Sequence, residues 1–397
     1  MILFQPFGGD GISWVIWIVF LMVFFFFYPR LMLSQIMWRL ERSAAKLETM
    51  SDNAKRIVLR SISKKPDKKL KDSVNRFFEF FIITPVSLDP AGIIGKFDHV
   101  IKNQHSRFKY FVKQIAPGMN EERQASIGMG LAGGITVHEI AKIVRHYVEM
   151  AKNTKNLQIA MVLQMQLPLI EKIAKGMFNG TKALSEGLPV GDGIGPMVAT
   201  ELLGSSKTKE IEDEIVMGKI KMEGRDVFVL KAMGPGGRIG FPGKAVKKIM
   251  EKNKIARVIT VDAAAKLEGE KTGTLAEGVG VAMGGPGVER SYIEDMVVQE
   301  DIPLDSIVVK MSPEQAIEPM RKAIKDAVPD VMESIKRSLE RTKRGDKVII
   351  LGVGNSSGIG SSRKDIENAK KWVDRYEKKI KEREKKEKNE EGSFLGF

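Results

Sequence analysis

Ala256-Arg-Val-Ile-Thr-Val-Asp262-Ala-Ala-Ala265 is a β-branched apolar run that ends on a carboxylate. Such a run, preceded by a helical pattern over 243–252, reads as a strand buried on both faces. The same texture holds from Glu186 onward. Asp226–Leu230, Ala256–Val261, Ser306–Lys310 and Lys347–Val353 read as strands. Pro196–Leu203, Gly243–Lys252 and Pro313–Thr342, the last broken at Pro329, read as helices. Strands alternating with helices predict an α/β domain over 186–360. Its sheet is expected to be mostly parallel with helices on both faces, phosphorylase/hydrolase-like in class. Ligands of such sheets bind beyond the carboxyl ends of strands, which is where Asp262 falls.

A second carboxylate sits upstream in Glu186-Gly-Leu-Pro-Val-Gly-Asp192-Gly-Ile-Gly-Pro196. Two carboxylates held together are the minimum equipment for splitting an amide with water. They share one proton; the ionised group takes a proton from water and the protonated one polarises the carbonyl. Structural roles stand beside this reading: Asp192 as a helix N-cap, Asp262 as a strand-end turn residue. Lys266, four residues after Asp262, is a partner that would lower its pKa. Glu268, Glu270, Glu277 and Glu289 are further acids nearby.

Three connections are dense in glycine: 231–240, 278–287 and 352–360. They suit tight turns, a backbone-lined cleft or an anion cradle. None matches a P-loop or the dinucleotide fingerprint, and no cofactor or metal is expected.

Gly191-Asp192-Gly-Ile-Gly-Pro196 before a helix resembles the Asp loop of the spore germination proteases and the acidic-Gly-x-Gly loop of the hydrogenase maturation peptidases. Val258-Ile-Thr-Val-Asp262-Ala is similar to the strand carrying their second aspartate, at a similar separation. Gly234-Pro-Gly-Gly-Arg-Ile-Gly240, Thr272-Gly-Thr and Gly284-Gly-Pro-Gly287 look like later segments of the spore enzymes. The resemblance covers about residues 186–312. It implies a metal-free, aspartic-type peptidase with Asp192 and Asp262 as the catalytic pair. It also implies that Gly193, Gly236, Gly237, Thr272, Gly284 and Gly285 line the substrate, with loop N–H groups facing the oxyanion. The maturation peptidases bind nickel through a late histidine. Here no histidine follows His146, so that ligand is missing. The single-anchor architecture also resembles a family of archaeal membrane proteins.

Ile12–Tyr28 is seventeen residues without a charge, bounded by Trp14, Trp17 and Tyr28 and stopped by Pro29 and Arg30. That length and those aromatics predict a membrane anchor contacting the bilayer through residues 12–28. Residues 30–71 hold twelve Lys/Arg against four acids. The positive-inside rule then puts the N-terminus outside and the body in the cytoplasm. A cleaved signal would need a basic start and small residues at its end, which this segment lacks.

The chain has 397 residues, 29% of them charged, no cysteine and a net charge of +14. The length implies several units, and the Lys/Glu-rich, cysteine-free composition is of the hyperthermophile kind. Much of the excess positive charge is juxtamembrane, so nucleic acid is not expected as a partner. The expected divisions are 1–30 (segment and anchor), 31–71 (basic juxtamembrane helix and linker), 72–185 (helical domain), 186–360 (α/β) and 361–397 (charged tail). Ile36, Leu40, Leu47, Met50, Ala54 and Ile57 recur at helical spacing, a face suited to pairing with a second copy. Breaks are expected at Pro85, Pro90 and Pro117-Gly118. His138 and His146, two turns apart, can share a helix face; capping or packing is the simpler role. The tail mixes twelve basic and nine acidic groups over 363–391, with Trp372, Tyr376 and Ile380 on one face and an apolar tip, Phe394-Leu-Gly-Phe397, suited to docking. The composite expectation is a membrane-anchored hydrolase acting on exposed polypeptide as a homo-oligomer. A non-catalytic membrane scaffold and a nucleotide- or phosphate-binding module are the alternatives.

Overall fold

A computed structural model describes residues 11–85, 92–285 and 287–394. Five helices come first: α1 (Gly11–Ile62), α2 (Lys68–Phe77), α3 (Ile93–Ile115), α4 (Glu121–Thr154) and α5 (Leu157–Glu186). Then follow α6 (Ile194–Leu203), β1 (Thr208–Glu212), β2 (Ile215–Met222), β3 (Arg225–Ala232), α7 (Pro242–Met250) and β4 (Arg257–Ala265). The remainder is β5 (Leu275–Val279), α8 (Val288–Gln299), β6 (Leu304–Met311), α9 (Pro313–Ile317), α10 (Lys322–Lys325), α11 (Val328–Glu340), β7 (Lys347–Gly352) and α12 (Arg363–Phe394).

The first helix is two helices in one. Val15–Phe25, Phe27 and Tyr28 are all exposed, and the helix that carries them is by length and composition apolar and long enough to cross a membrane. (The Trp14 side chain lies outside the described ones.) The helix runs on through Pro29 for 52 residues, about 78 Å at 1.5 Å per residue. The expected stop at Pro29-Arg30 is therefore a change of surroundings, not of backbone. Beyond it Ile36, Leu40, Ala44 and Leu47 bury against Ala141, Val144 and Val148 of α4 and Leu163 and Leu167 of α5. The face that suited a second copy is filled within the chain. Arg145 fastens α4 to α1 by reaching Glu41 at 2.6 Å and Glu48 at 2.7 Å.

The seven described strands form one sheet in the order β1-β2-β3-β7-β4-β6-β5. Pairs β3–β7, β7–β4 and β4–β6 are parallel, whereas β1–β2, β2–β3 and β5–β6 are antiparallel. The sheet is thus mixed, with a parallel centre. Strands β1, β2 and β5 went unanticipated because they are short or interrupted by Lys, Glu and Gly. Alternation along the central strands serves two cores. Val227, Val229, Ile259, Val261 and Ile350 face α6, α11 and α12. Phe228, Leu230, Val258, Ile349 and Leu351 face α7 and α8. The helical break after 313 comes at residues 318–321. Pro329 instead sits in the first turn of α11, where its missing N–H has no partner to lose. In the tail, Ile366, Ala369 and Val373 pack on the sheet core, with Trp372 partly buried and stacked on Tyr376 at 5.1 Å. Pro85 and Pro117 do lie between helices, while Pro90 and residues 395–397 fall outside the described residues.

Candidate active site

Parallel register sets the site. Val261 pairs with Gly352, so β7 ends where β4 continues through Asp262. Val353 then turns its N–H back onto Val261 O at 2.8 Å, and the chain enters the loop 353–360. That loop reaches Asp192, whose Oδ2 accepts the Asn355 N–H at 2.8 Å. The turn bearing Asp192 is pressed onto both strand ends. A Cβ on Gly195 would lie 2.1 Å from Val353 O and 2.5 Å from Val261 O. One on Gly354, whose φ is 125°, would lie 2.0 Å from Asp192 O. Only glycine permits this approach.

The two aspartates, seventy positions apart in the chain, are therefore brought to one cavity at the carboxyl end of the central strands, near enough for the charge of Asp192 to act on Asp262. Asp192 is not an N-cap: Gly193 holds that place, without a side-chain bond. Asp262 is not a strand-end turn residue, since β4 continues to Ala265. Its Oδ1 accepts the Ala263 N–H at 2.6 Å. Asp262 is 4% exposed. Burial, and then the charge of Asp192, push its pKa well above the usual carboxylate range. Burial also raises Asp192, against the opposing Asn355 N–H. Among the described residues no Lys or Arg forms an ion pair with either. Lys266, the anticipated partner, points its Nζ at Glu270 O instead.

Both carboxylates line a cavity of about 1140 Å³ between α3 and α4 on one side and the strand-end loops on the other. Gly237, Gly284 and Gly285 line it too. The other anticipated substrate contacts do not. Gly193 is buried against Ile359 and Asn355. Gly236 gives its N–H to the Glu122 carboxylate of α4, so that donor is already used. Thr272 donates to Gln315 Oε1 at 2.8 Å and lines a separate groove beside α11. The neighbouring acids are structural: Glu289 Oε2 accepts the Gly243 and Lys244 N–H groups at the start of α7, and Glu277 pairs with Arg337 at 2.7 Å.

Residues 14–187 match the model described as the DUF1512 N-terminal domain, a protein of unknown function, and residues 190–360 the DUF1512 C-terminal domain of unknown function. The chain belongs to the DUF1512 family. No curated protein matches it.

The cavity thus lies between the family's two domains, and the N-terminal one supplies part of its wall. His105 of α3 faces Asp213 and Glu214 on the β1–β2 turn across it. Sequence reasoning missed this cluster, because nothing in a linear reading joins a helix residue to a hairpin over a hundred positions away. His138 instead bonds Ser51 Oγ at 2.9 Å and Glu79 Oε1 at 2.8 Å, and no metal-like grouping with His146 forms among the described residues. Lys231 was also missed. It is fully buried on the other face of β3, bonded to Ala232 O at 2.9 Å, with burial lowering its pKa to about 7.

Proposed function

We propose that this DUF1512 protein is a membrane-anchored hydrolase, an aspartic-type peptidase in which Asp192 and Asp262 share a proton and activate water. The observation that carries the reading is a pair of carboxylates without a cationic partner, raised in pKa by burial, on the wall of one solvent-sized cavity. Asp262, the more strongly raised, is the proton holder that polarises the scissile carbonyl. Asp192, bonded to a backbone N–H, is the ionised partner that takes the proton from water. Gly284 and Gly285 line the same space, and backbone N–H groups there would suit oxyanion binding. The resemblance to germination proteases and hydrogenase maturation peptidases points the same way, without the nickel ligand set.

The apolar half of α1 supports an anchor, and the basic residues after it support an outside N-terminus and a cytoplasmic body. An exposed stripe of Met161, Met165 and Leu169 on α5 supports assembly of several copies. The substrate class is an exposed or unfolded polypeptide able to thread into the cavity. The deciding experiment gives the purified, detergent-solubilised chain a fluorescent unfolded protein, with Asp192→Asn and Asp262→Asn in parallel. Cleavage lost in both, with thermal stability kept, is the expected result. Full activity in either variant removes that residue from the chemistry.

A further inference from the structure

We propose that His105, Asp213 and Glu214 form a binding site for one divalent transition-metal ion on the cavity wall. This does not depend on the aspartate pair being hydrolytic. His105 Nε2 lies 3.6 Å from Asp213 Oδ2 and 3.6 Å from Glu214 Oε2. One donor atom from each of the three residues falls within 4.8 Å of the others. Ligands about 2.1 Å from a tetrahedral ion stand about 3.4 Å apart, close to the two His105 edges, which are too long for hydrogen bonds.

The state of the ring nitrogen is a second observation beside these distances. His105 Nε2 is shut off from solvent and has no hydrogen-bond partner. As a donor it would be a buried N–H left unpaired; as an acceptor it would aim a lone pair at two anions. A cation between the three groups removes both penalties.

The neighbouring cations do not occupy the position. Lys109 Nζ sits 3.1 Å from Asp213 Oδ1 and 3.2 Å from Glu214 Oε1. Arg238 Nε is 3.7 Å from the same Glu214 Oε1. Each carboxylate therefore gives one oxygen to these cations and turns the other toward His105. Outer partners of this kind orient ligating carboxylates in metal sites. Charge also allows it: Glu122, Asp213 and Glu214 form one ion-pair network with Arg238 and Lys109, three anions to two cations. A mixed imidazole and carboxylate set selects zinc, cobalt or manganese over calcium or magnesium. The ligands come from α3 and from the β1–β2 turn, so the ion would also clamp the helical part to the sheet.

The full chain in detergent, stripped with a chelator, is titrated with Zn2+ by calorimetry and with Co2+ by visible absorption. One ion per chain is expected, with cobalt bands and a raised unfolding temperature. His105→Ala should weaken binding by about 100-fold or more, whereas Asp192→Asn should leave it unchanged. Asp213→Ala, at an exposed turn position, decides the matter if His105→Ala does not fold. A wild-type chain that takes up no ion, or a variant lacking a ligand that binds as tightly as wild type, overturns the site. Loss of binding in Asp192→Asn instead of His105→Ala would place the ion at the aspartate pair and equally overturn it.

Discussion

One cavity holds two acidic regions that treat the same side chains in opposite ways. Asp192 and Asp262 sit at the end of the parallel centre with backbone N–H bonds and no cation. Asp213 and Glu214 sit at the antiparallel margin, held by Lys109 and Arg238 and facing His105. Burial raises the pKa of both members of the first pair, and the charge of Asp192 adds to it at Asp262, whereas the second set lies against cations. Charge pairing therefore separates groups suited to proton transfer from groups suited to cohesion and cation binding.

The largest expected effect breaks the first region. Asp262→Asn or Asp192→Asn should lower peptide cleavage by about 10²–10⁴-fold, the usual worth of a positioned acid or base. The wild-type rate should follow a bell-shaped pH profile whose alkaline limb belongs to the proton held by the pair. A rate that keeps climbing past neutral pH would show that no shared proton is used.

Next comes the cohesive region. Arg238 is 6% exposed, bonds Glu122 at 2.7 Å and faces the buried Glu214. Arg238→Met leaves a buried anion less compensated and should cost about 3 kcal/mol in unfolding free energy. Chemical denaturation measures it; a neutral result would mean the network contributes little to holding the two domains.

The third expectation runs with the opposite sign. Asp262 has a folded pKa raised above its unfolded value of about 3.9. Its favourable contribution is complete below that value and is lost as pH rises through the folded pKa. At pH 7 the wild type bears the penalty and Asp262→Asn does not. The variant should melt higher than the wild type at pH 7, and the gap should close toward pH 4. Unfolding temperatures at the two pH values test this, and a variant less stable at pH 7 contradicts it.

How much of this was legible in sequence depended on the range of the signal. The central strands are written in β-branched runs such as Val258–Val261, which also fix Asp262 near a strand's carboxyl end. The glycine spacing around Asp192 reflects a local need too: Gly195 and Gly354 are where backbones touch. The cavity's other wall was illegible, because it is made by docking α3 and α4 against loops that carry no shared pattern. Gly236 shows the consequence. Its loop reads as a free anion cradle until Glu122, from a different domain, is found filling it. The α1 face was misassigned for the same reason: periodicity reveals that a face is buried but not whether its cover is a second copy or α4 and α5.

The smallest effect sharpens the comparison within the cohesive region itself. Lys109 bonds the same two carboxylates as the cluster's histidine faces, yet its side chain is 56% exposed. Water already screens its charge and its long chain loses entropy when held, so Lys109→Met should cost only about 0.2–1 kcal/mol. That is well under the expectation for Arg238→Met, although both cations approach Glu214 Oε1. Raising the salt concentration should erase the Lys109 contribution first, since exposed pairs are the ones that mobile ions reach. Denaturation of both variants at low and high salt checks this. If Lys109→Met proved the costlier of the two, solvent access would not be what ranks the ion pairs of this cavity.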